Sequence, residues 1–198
     1  MLEEEFTDLI NEFGVPIKLN LETTTKKAII TSLTKTPDLY DFDDKKIHAD
    51  FPIKRGDTIK IDDTLFIVFS DIQLKRGHEY QSIIRPATNV IPIVVQEEVI
   101  EVTEWDRRGN PITWEVIQEE VVEDFPCIVF QEKISISGSQ IRITQQEIQV
   151  VMGDNEYTNK IVEGDIFTFF GDSYSVIGVD MFQKGLRIFQ MERVANPT

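Results

Sequence analysis

The segment IKRGDTIKIDDTLFIVFSDIQLKRGHEYQSIIRPATN, residues 53–89, decides the fold because the chain contains a second version of it. That version, IVEGDIFTFFGDSYSVIGVDMFQKGLRIFQMERVAN, covers residues 161–196 and lies 108 positions further along. Both contain a Gly-Asp turn, an alternating strand, a short turn, a second strand and a final strand with an arginine. The aligned pairs are Gly56 with Gly164, Asp57 with Asp165, Ile59 with Phe167, Phe66 with Tyr174, Gly77 with Gly185 and Arg85 with Arg193. Repetition at so long a period predicts a duplicated structural unit.

The composition is that of a globular protein with two modest cores. The chain has 198 residues, of which 41% are hydrophobic and 28% charged, and this length accommodates two units of about 80–100 residues. No apolar run approaches the roughly 20 residues of a membrane span, so we predict no membrane association. The acidic start MLEEEF is not a secretory signal. The single cysteine, Cys127, lies in the apolar run CIVF, so we expect a buried thiol and a reducing compartment.

The formal net charge of −15 argues against one broad class of function. Proteins that bind nucleic acid tightly neutralise its phosphates with Lys and Arg, so a chain this acidic is not expected to grip DNA or RNA. The same charge suits a surface that repels DNA.

The sequence contains no motif for catalysis or cofactor binding, so we predict a protein that is not an enzyme, with no cofactor and no metal site. His48 and His78 stand in polar contexts without a second ligand at a metal-binding spacing. Asp41, Asp43 and Asp44 resemble a calcium loop, but the glycine and the trailing glutamate of such a loop are missing.

An amphipathic helix is predicted at residues 2–13. Its apolar side chains fall on one face, and Gly14 and Pro16 end it. The predicted contact face consists of Phe6, Leu9, Ile10 and Phe13. That face packs either on its own barrel or on a neighbouring subunit.

After the helix the apolar residues alternate with a period of two, which predicts strands at residues 17–21 and 27–33. Residues 34–50 are polar and rich in Asp, so they are predicted to form a loop.

Arg55-Gly56-Asp57 spells the adhesion tripeptide RGD, but the second copy reads Glu163-Gly164-Asp165. Because only Gly-Asp is kept, we interpret Gly56, Asp57, Gly164 and Asp165 as turn residues. The pair Asp62-Asp63 is likewise predicted to form a hairpin turn.

Between the copies, alternating runs at residues 94–105 and 112–122 flank the turn-rich sequence DRRGNP. This pattern predicts a long β-hairpin. Residues 97–124 contain ten acidic and two basic residues, a net charge of −8. The predicted interaction residues near the tip are Trp105, Arg107, Arg108 and Trp114, with the two tryptophans able to pair across the strands. The hairpin is either a linker packed between the domains or a protruding arm that contacts neighbours.

These elements predict an all-β protein with two tandem small antiparallel β-barrels or sandwiches, a short N-terminal helix and a long inserted β-hairpin. The predicted boundaries are residues 1–93 for the helix and first barrel, 94–122 for the hairpin and 123–198 for the second barrel.

The order of motifs in the first copy carries a resemblance. Gly-Asp, an alternating strand, an acidic turn, Phe66-Ile67-Val68 and a last strand ending in Arg85 resemble the small β-barrel proteins of tailed-phage necks. These are the head-closure or stopper proteins and related head–tail connector and tail-completion proteins. The sequence from Gly164 to Arg193 resembles a second, degenerate version. Those proteins usually have one barrel, whereas this chain is predicted to have two.

The resemblance implies a structural protein of the virion neck, present in the host cytoplasm during assembly. It would form a homo-oligomeric ring that contacts a portal or adaptor protein on the head side and a tail protein on the other. The ring would enclose DNA without sequence-specific binding.

Two other classes of function remain open. One is a cell-surface or carbohydrate-binding module of a phage tail or baseplate, in which the tryptophan pair stacks on sugar. The other is an oligonucleotide-binding barrel that uses Phe167, Phe169 and Tyr174 as stacking platforms.

Overall fold

The computed structural model describes residues 2–20, 22–33, 43–131 and 147–194. For residues 2, 3, 97–102, 114–119 and 131 it describes the backbone only. The chain is mostly β-structure with one α-helix, a closed six-stranded barrel and a second, nearly closed barrel. The predicted fold class, two tandem barrels with a short N-terminal helix and a long hairpin, is therefore confirmed.

The first barrel is preceded by helix α1, Leu2–Phe13, which has the predicted bounds. Its strands are β1 Val15–Leu19, β2 Thr25–Ser32, β3 Lys45–Ala49, β4 Thr58–Ile61, β5 Thr64–Val68, β6 Gln73–Lys75 and β7 Glu79–Pro86. The sheet order is β3-β2-β1-β4-β5-β7-β6, and a further pairing of β3 with β7 closes six of the strands into a barrel. Alternate residues fill its core, including Ile17, Ile47, Ile59, Phe66 and Ile84.

The prediction of a loop throughout residues 34–50 is wrong for Lys45–Ala49, which form strand β3. Ile47 and Ala49 alternate inward and are fully buried, while antiparallel pairing with β2 and β7 satisfies the backbone. Lysine and histidine occupy the remaining positions, so the five residues read as polar. Residues 34–42 of the predicted loop lie outside the described residues.

The second barrel consists of β8 Asn89–Trp105, β9 Pro111–Gln131, β10 Glu147–Gly153, β11 Ile166–Phe169, β12 Asp172–Asp180 and β13 Leu186–Arg193, with a short 3-10 helix at Thr158–Lys160. The strand order is β11-β12-β13-β10-β9-β8. Residues 132–146, between β9 and β10, lie outside the described residues.

The sheet pairings extend the sequence repeat. Strand β10 pairs with β13 and β9, as β3 pairs with β7 and β2. Strand β8 follows β9 in the sheet order, as β1 follows β2. The long hairpin of β8 and β9 is thus an extended counterpart of the short β1–β2 hairpin. The sequence-based boundaries, with residues 94–122 as the hairpin, stay a prediction.

The chain forms two compact units. The first unit consists of Met1–Val90 and Pro126–Thr198, and the second is Ile91–Phe125. The first of these units contains both barrels, which share a small apolar core. Its buried members are Ile67, Ile128, Val151 and Leu186, with Phe69, Phe130 and Ile188 packed against them. No helix among the described residues is long and apolar enough to cross a membrane.

Candidate functional site

The unit Ile91–Phe125 is a two-stranded hairpin whose tip is held by one carboxylate. Asp106 Oδ1 accepts hydrogen bonds from the backbone N–H groups of Arg108 (2.7 Å) and Asn110 (2.8 Å), and Oδ2 accepts one from the Asn110 side chain (3.0 Å). Hydrogen bonds from the backbone and side chain of Asn110 hold the pKa of Asp106 below its ordinary value. Gly109 supplies the positive φ of the turn. The sequence DRRGN therefore forms a defined tip, with Arg107 and Arg108 exposed on it.

The described side chains along the hairpin are largely exposed. Trp105 is 70% exposed, and Ile112, Val121 and Val122 are also exposed apolar residues. The acidic residues exposed among them are Glu104, Glu120, Glu123 and Asp124. The Trp114 side chain lies outside the described set, so its pairing with Trp105 stays a prediction. The hairpin presents an acidic surface with scattered apolar side chains.

The predicted contact face of α1 is divided between the protein and solvent. Ile10 is buried and the Phe6 ring lies 5.8 Å from the His78 ring, whereas Leu9 and Phe13 are exposed. A hydrogen bond joins the helix to β2, because Lys27 Nζ donates to the backbone oxygen of Asn11 at 2.8 Å. Leu9 and Phe13 therefore remain available for a further contact.

The two Gly-Asp turns superimpose in their hydrogen bonds. Gly56 N–H donates to Val68 O at 2.9 Å, and Gly164 N–H donates to Val176 O at 2.8 Å. Each aspartate caps the same turn, because Asp57 Oδ2 accepts from Lys54 N–H and Asp165 Oδ2 accepts from Val162 N–H. Both carboxylates are engaged by their own backbone.

Two of the residues considered as metal ligands are engaged in pairs with neighbouring side chains. His48 Nδ1 lies 2.8 Å from Glu79 Oε1 and 2.9 Å from Gln81 Nε2, and Asp43 pairs with Lys45 at 3.6 Å. Asp41 lies outside the described residues. Within the described part of the chain, no three His, Cys, Asp or Glu side chains group to hold a metal ion.

The only cysteine is protected by its surroundings. Cys127 is buried, and desolvation raises the pKa of its thiol to about 12. A thiol with such a pKa carries little thiolate near neutral pH and is a weak nucleophile.

One buried ion pair was not anticipated from the sequence. Arg85 donates from Nε and Nη2 to the two carboxylate oxygens of Asp44, each at 2.7 Å. Its guanidinium carbon also lies 4.3 Å from the centre of the Phe69 ring and 5.4 Å from that of Phe130. The arginine kept in both copies was the available signal, since its counterpart Arg193 also pairs with an aspartate, Asp172. The two partner aspartates, Asp44 and Asp172, are not separated by the repeat offset, so aligning the copies does not match them.

A groove of about 360 Å³ lies beside β11 and was also missed. It is lined by Leu65, Ala87, Thr88, Asn89, Val90, Thr168, Phe169 and Phe170. Phe170 is 74% exposed and adopts a φ of +55°, a conformation that is unfavourable for a bulky side chain. Its counterpart in the first copy is Asp62, at φ +51°.

Taken with the fold, these features define an all-β protein of two tandem barrels that carries a long acidic hairpin. The chain belongs to the YomX C-terminal domain family, whose model matches residues 17–192 and so includes both barrels and the hairpin. This family is associated with phages, which confirms the resemblance to phage proteins at that level. No curated protein and no solved structure matched the chain.

Proposed function

We propose that this protein is a structural component of a tailed-phage virion that forms a ring at the head–tail interface and attaches the tail. The observation that carries the proposal is the exposed acidic hairpin on a duplicated small barrel, in a chain of a phage-associated family. A two-stranded hairpin is marginal by itself in water, so one this long gains its stability from what it contacts. In the proposed ring, that contact is a neighbouring protein.

The charge supports a position around the DNA channel. Residues 97–124 carry a net charge of −8 out of −15 for the chain, and acidic groups that face a channel keep DNA from adhering to its wall. The proposed ring contacts a portal or adaptor protein on one side and a tail protein on the other. It encloses DNA without reading its sequence, as a virion protein that assembles in the host cytoplasm.

The proposed role requires no catalysis. The histidines, the conserved turn aspartates of the two copies and Cys127 are all engaged in structural contacts or buried. We therefore propose that the protein acts through its surfaces, without enzyme activity, cofactor or metal.

A shortened hairpin tests the proposal. Removing residues 96–103 together with residues 113–120 takes eight residues from each strand and keeps the tip. The carrying phage is expected to accumulate DNA-filled heads without tails, because the contact made by the hairpin is lost. Circular dichroism and NMR of the purified variant establish that the barrels remain folded.

A charge variant of full length is the matched control. Glu104→Gln, Glu120→Gln and Glu123→Gln remove exposed acids while the hairpin keeps its length. We expect this variant to form tailed particles. Wild-type titres from the shortened variant would contradict the proposal and make the hairpin a linker.

One observation favours a second candidate, a carbohydrate-binding module of a tail or baseplate. Trp105 is largely exposed beside the hairpin tip, and exposed aromatic rings stack on sugars. A glycan array with wild type and Trp105→Ala distinguishes the two. The oligonucleotide-binding candidate is less suited to the structure, since Phe169 and Tyr174 are buried with their rings in edge contact.

A further inference from the structure

The two barrels differ in the number of strands that pair with β4 in the first barrel and with its counterpart β11 in the second. Strand β4 pairs with β5 on one side and with β1 on the other. Its counterpart β11 pairs with β12 and, among the described residues, with no other strand. The strand that corresponds to β1 is β8, at the opposite end of the sheet order. An edge strand of this kind presents unpaired backbone N–H and C=O groups.

We propose that the open edge of β11 is a docking site for an extended, basic segment of another protein, which adds a strand antiparallel to β11. The added strand gives β11 a second backbone partner, as β4 has one in β1. This is the β-augmentation mode of peptide recognition, in which backbone hydrogen bonds supply affinity and alternate side chains supply specificity.

The first barrel shows which sequence fits such a site. Ile17 lies opposite Ile61, Lys18 opposite Lys60 and Leu19 opposite Ile59, with Ile17 and Leu19 buried and Lys18 exposed. The equivalent positions on β11 are Phe169, Thr168 and Phe167 at the repeat offset. A docked segment therefore places apolar residues over the two phenylalanines and a polar residue opposite Thr168.

Burial at Phe167 is consistent with a missing neighbour, whereas Phe169 is already buried by its own barrel. Phe167 is only half-buried, whereas its counterpart Ile59, which is covered by β1, is fully buried. The groove of about 360 Å³ runs along Thr168, Phe169 and Phe170 and is lined largely by uncharged residues. It therefore offers a floor of uncharged residues, both polar and apolar, beside the edge of β11.

Phe170 supports a role for this groove beyond folding. It occupies a turn position with φ +55°, where Asn, Asp or Gly is favoured and a bulky residue is strained. Its aromatic ring is nevertheless exposed at the mouth of the groove. A side chain that is unfavourable for the turn and unused by the core is explained if it covers a bound segment.

Charge selects a basic occupant, and strand pairing disfavours a second copy of this chain. Residues 161–183 contain four acidic residues and no Lys or Arg, whereas the equivalent residues 53–75 contain four of each sign. The empty site thus lies in an acidic stretch, in which Asp172 is paired with Arg193, and the filled one lies in a neutral stretch. In a second copy the matching segment, β1, is already paired within its own barrel, while a basic segment of another protein is attracted to the acidic stretch.

The probe is a synthetic peptide with the sequence of residues 14–20, GVPIKLN, titrated into the full chain and followed by NMR. We expect saturable shift changes at Ile166–Phe169 and Phe170, with none at Thr58–Ile61, where β1 already occupies the edge. The same peptide with Lys18→Glu is expected to bind about tenfold more weakly or less. Absence of saturable binding, or equal binding of both peptides, would overturn the proposal.

Variants of the full chain separate binding from folding. Phe170→Asn relieves the strained turn, so it is expected to raise stability while weakening peptide binding about tenfold. Phe182→Asn is the matched control, since Phe182 is 98% exposed and does not line the groove. It is expected to leave peptide affinity unchanged. Equal loss in both variants would contradict a role for Phe170.

Sedimentation across a concentration series tests the rival occupant. If the chain self-associates and the GVPIKLN peptide dissociates the oligomer, the edge is filled by a second copy and the proposed foreign segment is wrong. Binding at β11 is independent of any neck role, so its failure leaves the proposed function standing, and failure of the neck role leaves this site standing.

Discussion

At the scale of single residues, Gly56 and Gly164 have the same backbone conformation in different surroundings. Their φ angles are +89° and +97°. A Cβ on Gly56 would lie 1.9 Å from Gly185 O, and one on Gly153 would lie 2.2 Å from Gly56 O. At the equivalent position on Gly164, no heavy atom of the described residues beyond its chain neighbours lies within 4 Å. The turn thus requires glycine in both copies, but only Gly56 also permits the two barrels to touch.

This difference gives a paired prediction. Gly164→Ala is expected to cost about 1–3 kcal/mol of unfolding free energy, the strain of a positive φ. Gly56→Ala suffers the same strain and also forces the backbone of Gly185 away, so we expect it to cost at least about 1–3 kcal/mol more. Urea unfolding of both variants measures the difference. Equal losses would show that the contact between the barrels is not tight.

The sequence predicted the turn glycines and could not predict this contact. A comparison of the two copies identifies the residues that both retain, which are those of the Gly-Asp turn. The contact uses Gly56 from one copy with Gly153 and Gly185 from the other, so it has no counterpart to compare. The same limit hid the pairing of Arg85 with Asp44, a residue in a segment that reads as polar loop.

At the scale of elements, strong periodicity was predictable and short or extended strands were less so. Helix α1 and the hairpin followed from their apolar spacing. Strand β3 was missed because three of its five residues are Lys or His. The sequence did not show that β8 and β9 are the counterparts of β1 and β2, because the long acidic strands of the hairpin have no sequence similarity to the short β1 strand VPIKL. Only the pairing of β9 with β10 reveals it.

The hairpin tip gives a prediction on pH. Asp106 has a lowered pKa in the folded tip, so its stabilising effect is fully present above the ordinary value of 3.8 and is lost as pH falls through the lowered pKa. In an NMR pH titration, we expect Asp106 to titrate below 3.8, with the amide signals of Arg108 and Asn110 shifting in step.

Substitution provides the control for this titration. Asp106→Ala removes the acceptor for both amides, so their signals should move toward random-coil positions at neutral pH. Asp124→Ala, an exposed acid on the same hairpin, should leave them in place. An Asp106 that titrates at or above 3.8 would contradict the assigned hydrogen bonds.

At the scale of the whole molecule, the fold is a scaffold and the distinctive surfaces are added to it. The shared turns, cores and arginines build two similar barrels. In the part of the chain that the structure describes, the copies differ in the long acidic hairpin in place of β1–β2, the unpaired edge of β11 and the exposed Phe170. Each of these is an exposed surface or, within the described ranges, a strand edge without a paired neighbour, which fits the proposed role in assembly.

The sequence indicated a phage protein because its order of motifs resembles that of neck proteins, and the family match agrees at the level of a phage protein. The position within the virion could not follow from the same features. The composition and strand pattern describe this chain alone. Its position in the virion depends on contacts with other proteins, whose sequences are not part of this chain.

The most direct test of the neck role is electron microscopy of purified virions carrying a tag after the last residue of this chain, labelled with gold. The account predicts label at the junction of head and tail, on every tailed particle and on filled heads that await a tail. Label at the tail tip or baseplate, or virions that lack the protein, would contradict it.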